Sequence, residues 1–197
     1  MLEHRLQFDL AFYAFNLQHA IVRRNNAVGA EYFVNAGETS QHGIEALIRY
    51  DVLSQKGSFF SGLHIWSSYS YQPYRFIDYQ QGSVNYSGNA LTGVPRNVWL
   101  AGFDLQVKDH WYLDFSYNQT SSLPLTDAND MYADPYHLVQ VKMGYRSQSK
   151  TQWHVFVGID NLLNELYSLG NDINAAGKRY YNPAAGRNFF AGLQLAL

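Results

Sequence analysis

The chain contains no cysteine. That absence excludes disulfide frameworks, zinc–thiolate sites, iron–sulfur clusters and cysteine nucleophiles. Charge is scarce as well. Asp, Glu, Lys and Arg make up 15% of the 197 residues, against about 25% in an average soluble domain. With 14 basic and 16 acidic residues the formal net charge is −2, so the broad positive field of a nucleic-acid binder is missing. No apolar run approaches the roughly 18 residues of a membrane-spanning helix. Residues 1–5 lead into alternating positions rather than an apolar core with a small-residue cleavage site, so no signal peptide is read here. No convincing amphipathic helix, low-complexity tract or linker interrupts the chain, whose length suits about one domain. What the chain does hold is aromatic: 16 Tyr, 12 Phe and 4 Trp, with a mean hydropathy of −0.30. That combination fits apolar residues alternating with neutral polar ones.

The alternation is explicit in eight segments. Leu6, Phe8, Leu10 and Phe12 begin it; Ile44, Ala46, Ile48, Tyr50 and Val52 follow, then Leu63, Ile65, Tyr69 and Tyr71. Trp99 to Val107, Trp111 to Tyr117, Val139 to Tyr145, Trp153 to Ile159 and Phe189 to Leu197 repeat it. Successive side chains of a strand point to opposite faces, so each segment carries one apolar and one polar face. The polar positions are mostly Gln, Asn, Ser and isolated charges, whereas the solvated face of a soluble β-sandwich would carry many Lys and Glu. Asn161 to Tyr167 reads as a continuation of its strand.

The connections are expected near 18–31, 53–58, 72–95, 108–110, 121–135, 148–151 and 165–184. They alternate long and short, which puts every long loop at one end of an antiparallel meander. Short periplasmic turns, long extracellular loops and strands of about 10 residues are the pattern of an outer-membrane barrel. Trp99, Trp111, Tyr117, Tyr145 and Trp153 sit near stripe ends, where interfacial girdle aromatics belong.

Four motifs then carry a resemblance. They are Asn35-Ala36-Gly37-Glu38-Thr39 with Gly43-Ile44-Glu45; Gly88-Asn89-Ala90-Leu91-Thr92-Gly93-Val94-Pro95-Arg96; Asp160-Asn161-Leu162-Leu163-Asn164 with Tyr167; and Arg179-Tyr180-Tyr181-Asn182-Pro183 with Gly186-Arg187 and Gly192-Leu193. In this order, over nearly the whole chain, they resemble the TonB-dependent outer-membrane receptors, and among these the iron–siderophore type. The resemblance implies an all-β fold: an antiparallel up-and-down transmembrane β-barrel segment of about eight strands, the last eight of a 22-stranded barrel. Residues 1–197 would be the C-terminal barrel segment, with the family's plug domain absent. The implied function is a part in TonB-coupled uptake of a ferric chelate across the outer membrane of a Gram-negative bacterium. The implied partners are outer-membrane lipid, the ferric chelate, and the TonB complex through the missing N-terminal part. No enzyme activity, cofactor or nucleic acid is expected. The alternative is a self-contained eight-stranded barrel with a structural or adhesive role, whose lumen Tyr13, Phe15, Phe60 and Trp66 would help to fill.

Ligand contacts are sought in the long loops. Tyr74, Arg75, Tyr79 and Tyr86 give the second an aromatic and basic character, and Lys178, Arg179 and Tyr180 do the same for the last. Tyr and Arg suit anionic, planar chelates through stacking and charge-assisted hydrogen bonds. Arg187, Arg96, Glu45 and Asp160 are read as a lumen charge network, Gly37, Gly43 and Gly192 as structural, and Pro95 as beginning a strand. Thr126 to Asp130 with Asp134 lacks the Gly and terminal Glu of a calcium loop, so Asx turns are expected there. The seven histidines are scattered, and no metal-binding or catalytic motif joins them.

Overall fold

The computed structural model describes residues 5–26, 28–35, 37–55, 57–147 and 152–196. Residues 1–4, Ala36, the turn expected at 148–151 and Leu197 lie outside the described residues. Eight long strands form the wall: β1 (Leu6–Gln18), β2 (Glu38–Ser54), β3 (Phe60–Tyr71), β4 (Asn97–Val107), β5 (Trp111–Thr120), β6 (Tyr136–Arg146), β7 (Gln152–Asp160) and β8 (Asn188–Ala196). They stand side by side in chain order, each antiparallel to the next. The connections alternate as expected: 19–37, 72–96, 121–135 and 161–187 are long, and 55–59, 108–110 and 147–151 are short.

Register assigns the faces, because directly opposed residues share one. Phe12 opposes Ile44, which opposes Tyr71; Phe115 opposes Phe103 and Val141; Val157 opposes Met143 and Ala191. The apolar stripes therefore merge into one apolar face. Among the described residues nothing covers it: Phe12 is 71% exposed and Leu193 64%. Such a face is stable against hydrocarbon and unstable against water.

Two bulges shift the pattern. Asp51 opposes His64 while Leu53 opposes Leu63, so Val52 is an extra residue and the apolar face passes to Leu53. Phe60 opposes Val107 while Gly62 opposes Gln106, so Ser61 is extra on β3. A bulge turns the following side chains over. Phe60 consequently lies on the apolar face, not on the inner face with Trp66 as simple alternation predicts. Tyr13, Phe15 and Trp66 do share the polar face by their pairings.

On that polar face five rings lie across five directly opposed glycines. Tyr13 faces Gly43, Trp66 Gly102, Tyr112 Gly144, Phe156 Gly192 and Phe190 Gly158. Each ring occupies the space that a Cβ on its glycine would need. These rings fill the hollow of a curved sheet where a second sheet or a helix would lie in a soluble protein.

β7 ends at Asp160 rather than running on to Tyr167. Asn161 adopts a left-handed φ of 51°. Its side-chain oxygen accepts from the Glu165 amide at 2.8 Å and its amide donates to the Glu165 carbonyl at 2.9 Å, which closes an Asx-type turn. The sheet is open: β1 and β8 are its two edges and do not pair with each other. A self-contained eight-stranded barrel requires that pairing, so the structure does not support it.

Candidate functional site

The buried apolar clusters lie in the long loops. Strand segment Arg75–Asp78 continues the line of β3 and pairs with the start of β2, Thr39 against Phe76 and Ser40 against Arg75. Phe76 and Tyr79 are buried there among Ala20, Val34, Tyr86 and Leu91, which ties the first long loop to the second. A second cluster joins Leu125, Ala133 and Tyr180 with Leu123, Met131 and Ala175, tying the third to the fourth.

Asp127, 1% exposed, links three loops. Its Oδ1 accepts from Thr92 Oγ1 and from Asn174 Nδ2, the latter at 3.0 Å. Its amide donates to Asn174 Oδ1 at 3.0 Å, and its carbonyl accepts from Asn89 Nδ2 at 2.7 Å. Asn129, at φ 56°, adds bonds to both polar groups of the Ala90 backbone at 2.7 and 3.0 Å. The Thr126 to Asp130 run is thus a turn in which Asp127 and Asn129 bind neighbouring loops while Thr126 donates to Asp130 within the turn. Backbone bonds from Gly93 to Pro124 and from Asn174 to Leu125, both 2.8 Å, complete the contact. Loops bound this way hold one arrangement before any ligand arrives, which lowers the ordering cost of binding.

Within this body the expected site residues occupy different places. Tyr74 is half-buried, its hydroxyl 2.6 Å from that of Tyr13. Arg75 is exposed and its Nη1 donates to the Gly88 carbonyl at 2.9 Å. Tyr79 is 2% exposed, with Tyr86 packed against its ring at 5.3 Å. Lys178 and Arg179 are exposed, while Tyr180 is buried. Burial pushes the Tyr180 phenol up from its ordinary value, and Asp130 and Tyr181 push it the same way. Tyr79 and Tyr180 sit in separate clusters and hold the loops from within.

Two clefts open at the loop end of the wall. One, of about 360 Å³, is lined by Arg75, Gly88, Arg96, Pro124, Asn129 and Tyr132 among others. The other, of about 450 Å³, is lined by Tyr69, Asn97, Trp99, Gln119 and Ser121. Arg96 was not recognised as part of a cleft from the sequence. Its Nη2 donates to Tyr71 Oη at 2.7 Å and its guanidinium stacks 5.3 Å from the Tyr71 ring. Tyr71 belongs to the apolar face, so Arg96 turns toward that side and not into the lumen network expected for it. Glu45 and Asp160 do take polar-face positions, and Arg187 Nε donates to the Leu162 carbonyl at 2.9 Å.

Toward the short turns the polar face carries a lateral row, Asp51, His64, Asp104, Asp114 and Lys142, each directly opposite the next. His64 Nδ1 is 2.5 Å from Asp51 Oδ1. Lys142 lies 4.8 Å from the Phe156 ring and Arg146 4.3 Å from that of Tyr112. Tyr112 Oη meets His154 Nε2 at 2.7 Å. Such a face suits an aqueous or protein-filled lumen.

On the apolar face the aromatics form two bands. Trp111, Tyr145 and Trp153 pack in succession at 4.9 Å near the short turns, the first pair edge to face. Trp99 and Tyr117 pack at 5.4 Å near the long loops, with Trp99 Nε1 donating to Ser67 Oγ at 2.8 Å. Paired aromatic bands flanking an apolar zone mark the two interfaces of a membrane-spanning wall.

Comparison with known proteins agrees. The sequence profile of the family described as TonB dependent receptor-like, beta-barrel matches residues 2–162. Among solved structures, the siderophore receptor PiuA from Acinetobacter baumannii superposes with a TM-score of 0.69 at 17% identity, over 99% of this chain and 26% of that one. The ferric-catecholate import receptor Fiu from K12 E. coli gives 0.70 at 15%, over 98% and 25%. The ferric citrate transporter FecA gives 0.76 at 18%, over 98% and 29%. The chain thus spans between a quarter and a third of the length of these three receptors. At such identities the likeness is one of fold. The profile match covers most of the sequence, and with the paired aromatic bands and the alternating loops it places the chain in the TonB-dependent receptor β-barrel family, a family of outer-membrane receptors.

Proposed function

We propose that the chain is part of the barrel of an outer-membrane receptor for TonB-coupled uptake of a ferric chelate. The observation that carries this reading is the pairing of a bare apolar wall with long loops locked into one body at one end. A wall of this kind places the loops at a membrane surface, and bound loops present a preformed surface to a ligand. The similar structures are described as siderophore, ferric-catecholate and ferric citrate proteins, and a ferric chelate of that kind is commonly anionic. The exposed cations Lys178 and Arg179 on the fourth long loop, and the half-buried Tyr74 and Tyr86 on the second, supply charge and stacking for such a ligand. Residues 1–197 form the carboxy-terminal part of the barrel in this reading. The plug and the segment that engages TonB belong to the rest of the receptor.

Passage through the lumen requires a rearrangement of the plug driven through TonB. The 197 residues by themselves are not expected to transport. The test is uptake of radiolabelled ferric chelates by cells lacking other iron receptors. The full receptor should restore uptake of at least one anionic chelate, and K178A/R179A should raise its half-saturation concentration about tenfold at unchanged surface abundance. No uptake of any ferric chelate by the full receptor overturns the reading. So does uptake by cells making these residues alone.

A further inference from the structure

We propose that Arg75 and Arg96 form a binding site for the phosphate-bearing headgroup of a membrane lipid, on the outside of the wall just beyond the loop-side aromatic band. The placement follows from register. Arg75 is directly opposite Ser40, and Ser40 lies on the same face of β2 as His42 and Ile44. Pairing of β1 with β2 is continuous from Leu6 to Gln18, so no bulge intervenes. Arg75 therefore sits on the face of Phe12 and Ile44. Arg96 reaches the same side through Tyr71, on whose ring it stacks. Both cations thus reach the apolar side of the wall, at a cleft that extends inward to Tyr74.

The chemistry of the cleft fits a phosphate. No Asp or Glu is among its lining residues. Asp78, with its partner Glu38, sits at the far end of the strand that begins at Arg75. Arg75 gives one N–H to the Gly88 carbonyl and Arg96 one to Tyr71. A guanidinium has five donors, so each keeps N–H groups for an anion, and planar forked donors match phosphate oxygens. Among the described residues neither arginine is in an ion pair. Immediately below, the second cleft holds Tyr69 and Trp99 with Asn97, Gln119 and Ser121, again without a carboxylate. Aromatic belts sit at headgroup level, so guanidiniums one step beyond the belt stand at the depth of lipid phosphates.

The inference rests on the outer-membrane reading of the family and not on chelate uptake. It is tested with the full receptor in detergent micelles by native mass spectrometry, titrating bisphosphorylated lipid A, the same lipid dephosphorylated, and inorganic phosphate. Wild type should retain the phosphorylated lipid about tenfold more tightly than the dephosphorylated one, and R75Q/R96Q should lose that preference. Equal retention of both lipids overturns the proposal, as does a preference unchanged in R75Q/R96Q. Full displacement of the lipid by millimolar inorganic phosphate overturns it in favour of a soluble-anion site. If the double variant does not insert, R75Q and R96Q are measured singly; retention equal to wild type in both is then the overturning result. The readout is retention of lipid and not uptake of a chelate, so failure here leaves the uptake reading standing.

Discussion

A ring laid across a directly opposed glycine leaves no room for a methyl group. A Cβ on Gly144 would come 2.6 Å from the Tyr112 ring. Gly144→Ala should therefore destabilise the wall by about 1–3 kcal/mol, the range of overpacking, read as a lowered urea midpoint in micelles. Adding Tyr112→Ala should recover part of that loss, because the clash partner is gone. Tyr180 makes a second prediction. Its phenol holds its proton more tightly folded than unfolded, so its contribution is complete below its ordinary value of 10.0 and falls as pH rises above it. Protease resistance of the fourth loop should drop as pH rises above about 10, and Tyr180→Phe should weaken that drop; an identical drop in the variant would dismiss the account. Residue types on the strands were legible from alternation alone. The side taken by Phe60 was not, because it depends on one extra residue, Ser61, that only the pairing of β3 with β4 reveals.

At the scale of elements, period-two patterning was enough to place all eight wall strands and the order of long and short connections. What it could not place was the structure inside the long loops. The strand Arg75–Asp78 owes its position to the start of β2 far back along the chain, and the hairpin of Ile21–Asn25 with Glu31–Asn35, local in its own pairing, meets Phe76 and Tyr79 through Val34. The same holds for Tyr79 and Tyr180, read from sequence as ligand contacts and found inside loop cores. Nothing local distinguishes a loop tyrosine that packs from one that faces a ligand. Asp127 was legible as a turn former but not as the link between three loops. Asp127→Ala removes the acceptor for Thr92 and Asn174, a loss of about 1–3 kcal/mol. Hydrogen exchange should quicken together in 72–96, 121–135 and 161–187 while β4, β5 and β6 keep their protection. Loosening confined to 121–135 would show that the loops are not one body.

For the molecule as a whole, the sign of each face is the decisive property. Neighbours on β6 test it, since Val141 lies on the apolar face and Gln140 on the polar one. Val141→Arg should cost about 2–4 kcal/mol in lipid vesicles, and Gln140→Arg little. A soluble sandwich would also tolerate the second, but it would not require lipid for the wild type to fold. Strand number and length alone left openness undecided, because eight such strands are compatible with a closed barrel as well as with part of a larger one; the motif resemblance is what implied the open segment. The wall has a further consequence through its connectivity. Each long strand bonds to the strands adjacent in the chain and to no distant long strand. Duplicating or deleting one hairpin therefore alters the girth of such a wall by two strands and leaves every other register intact. Circumference becomes something gene duplication can count up or down, whereas the interlocked loops above can change only in concert.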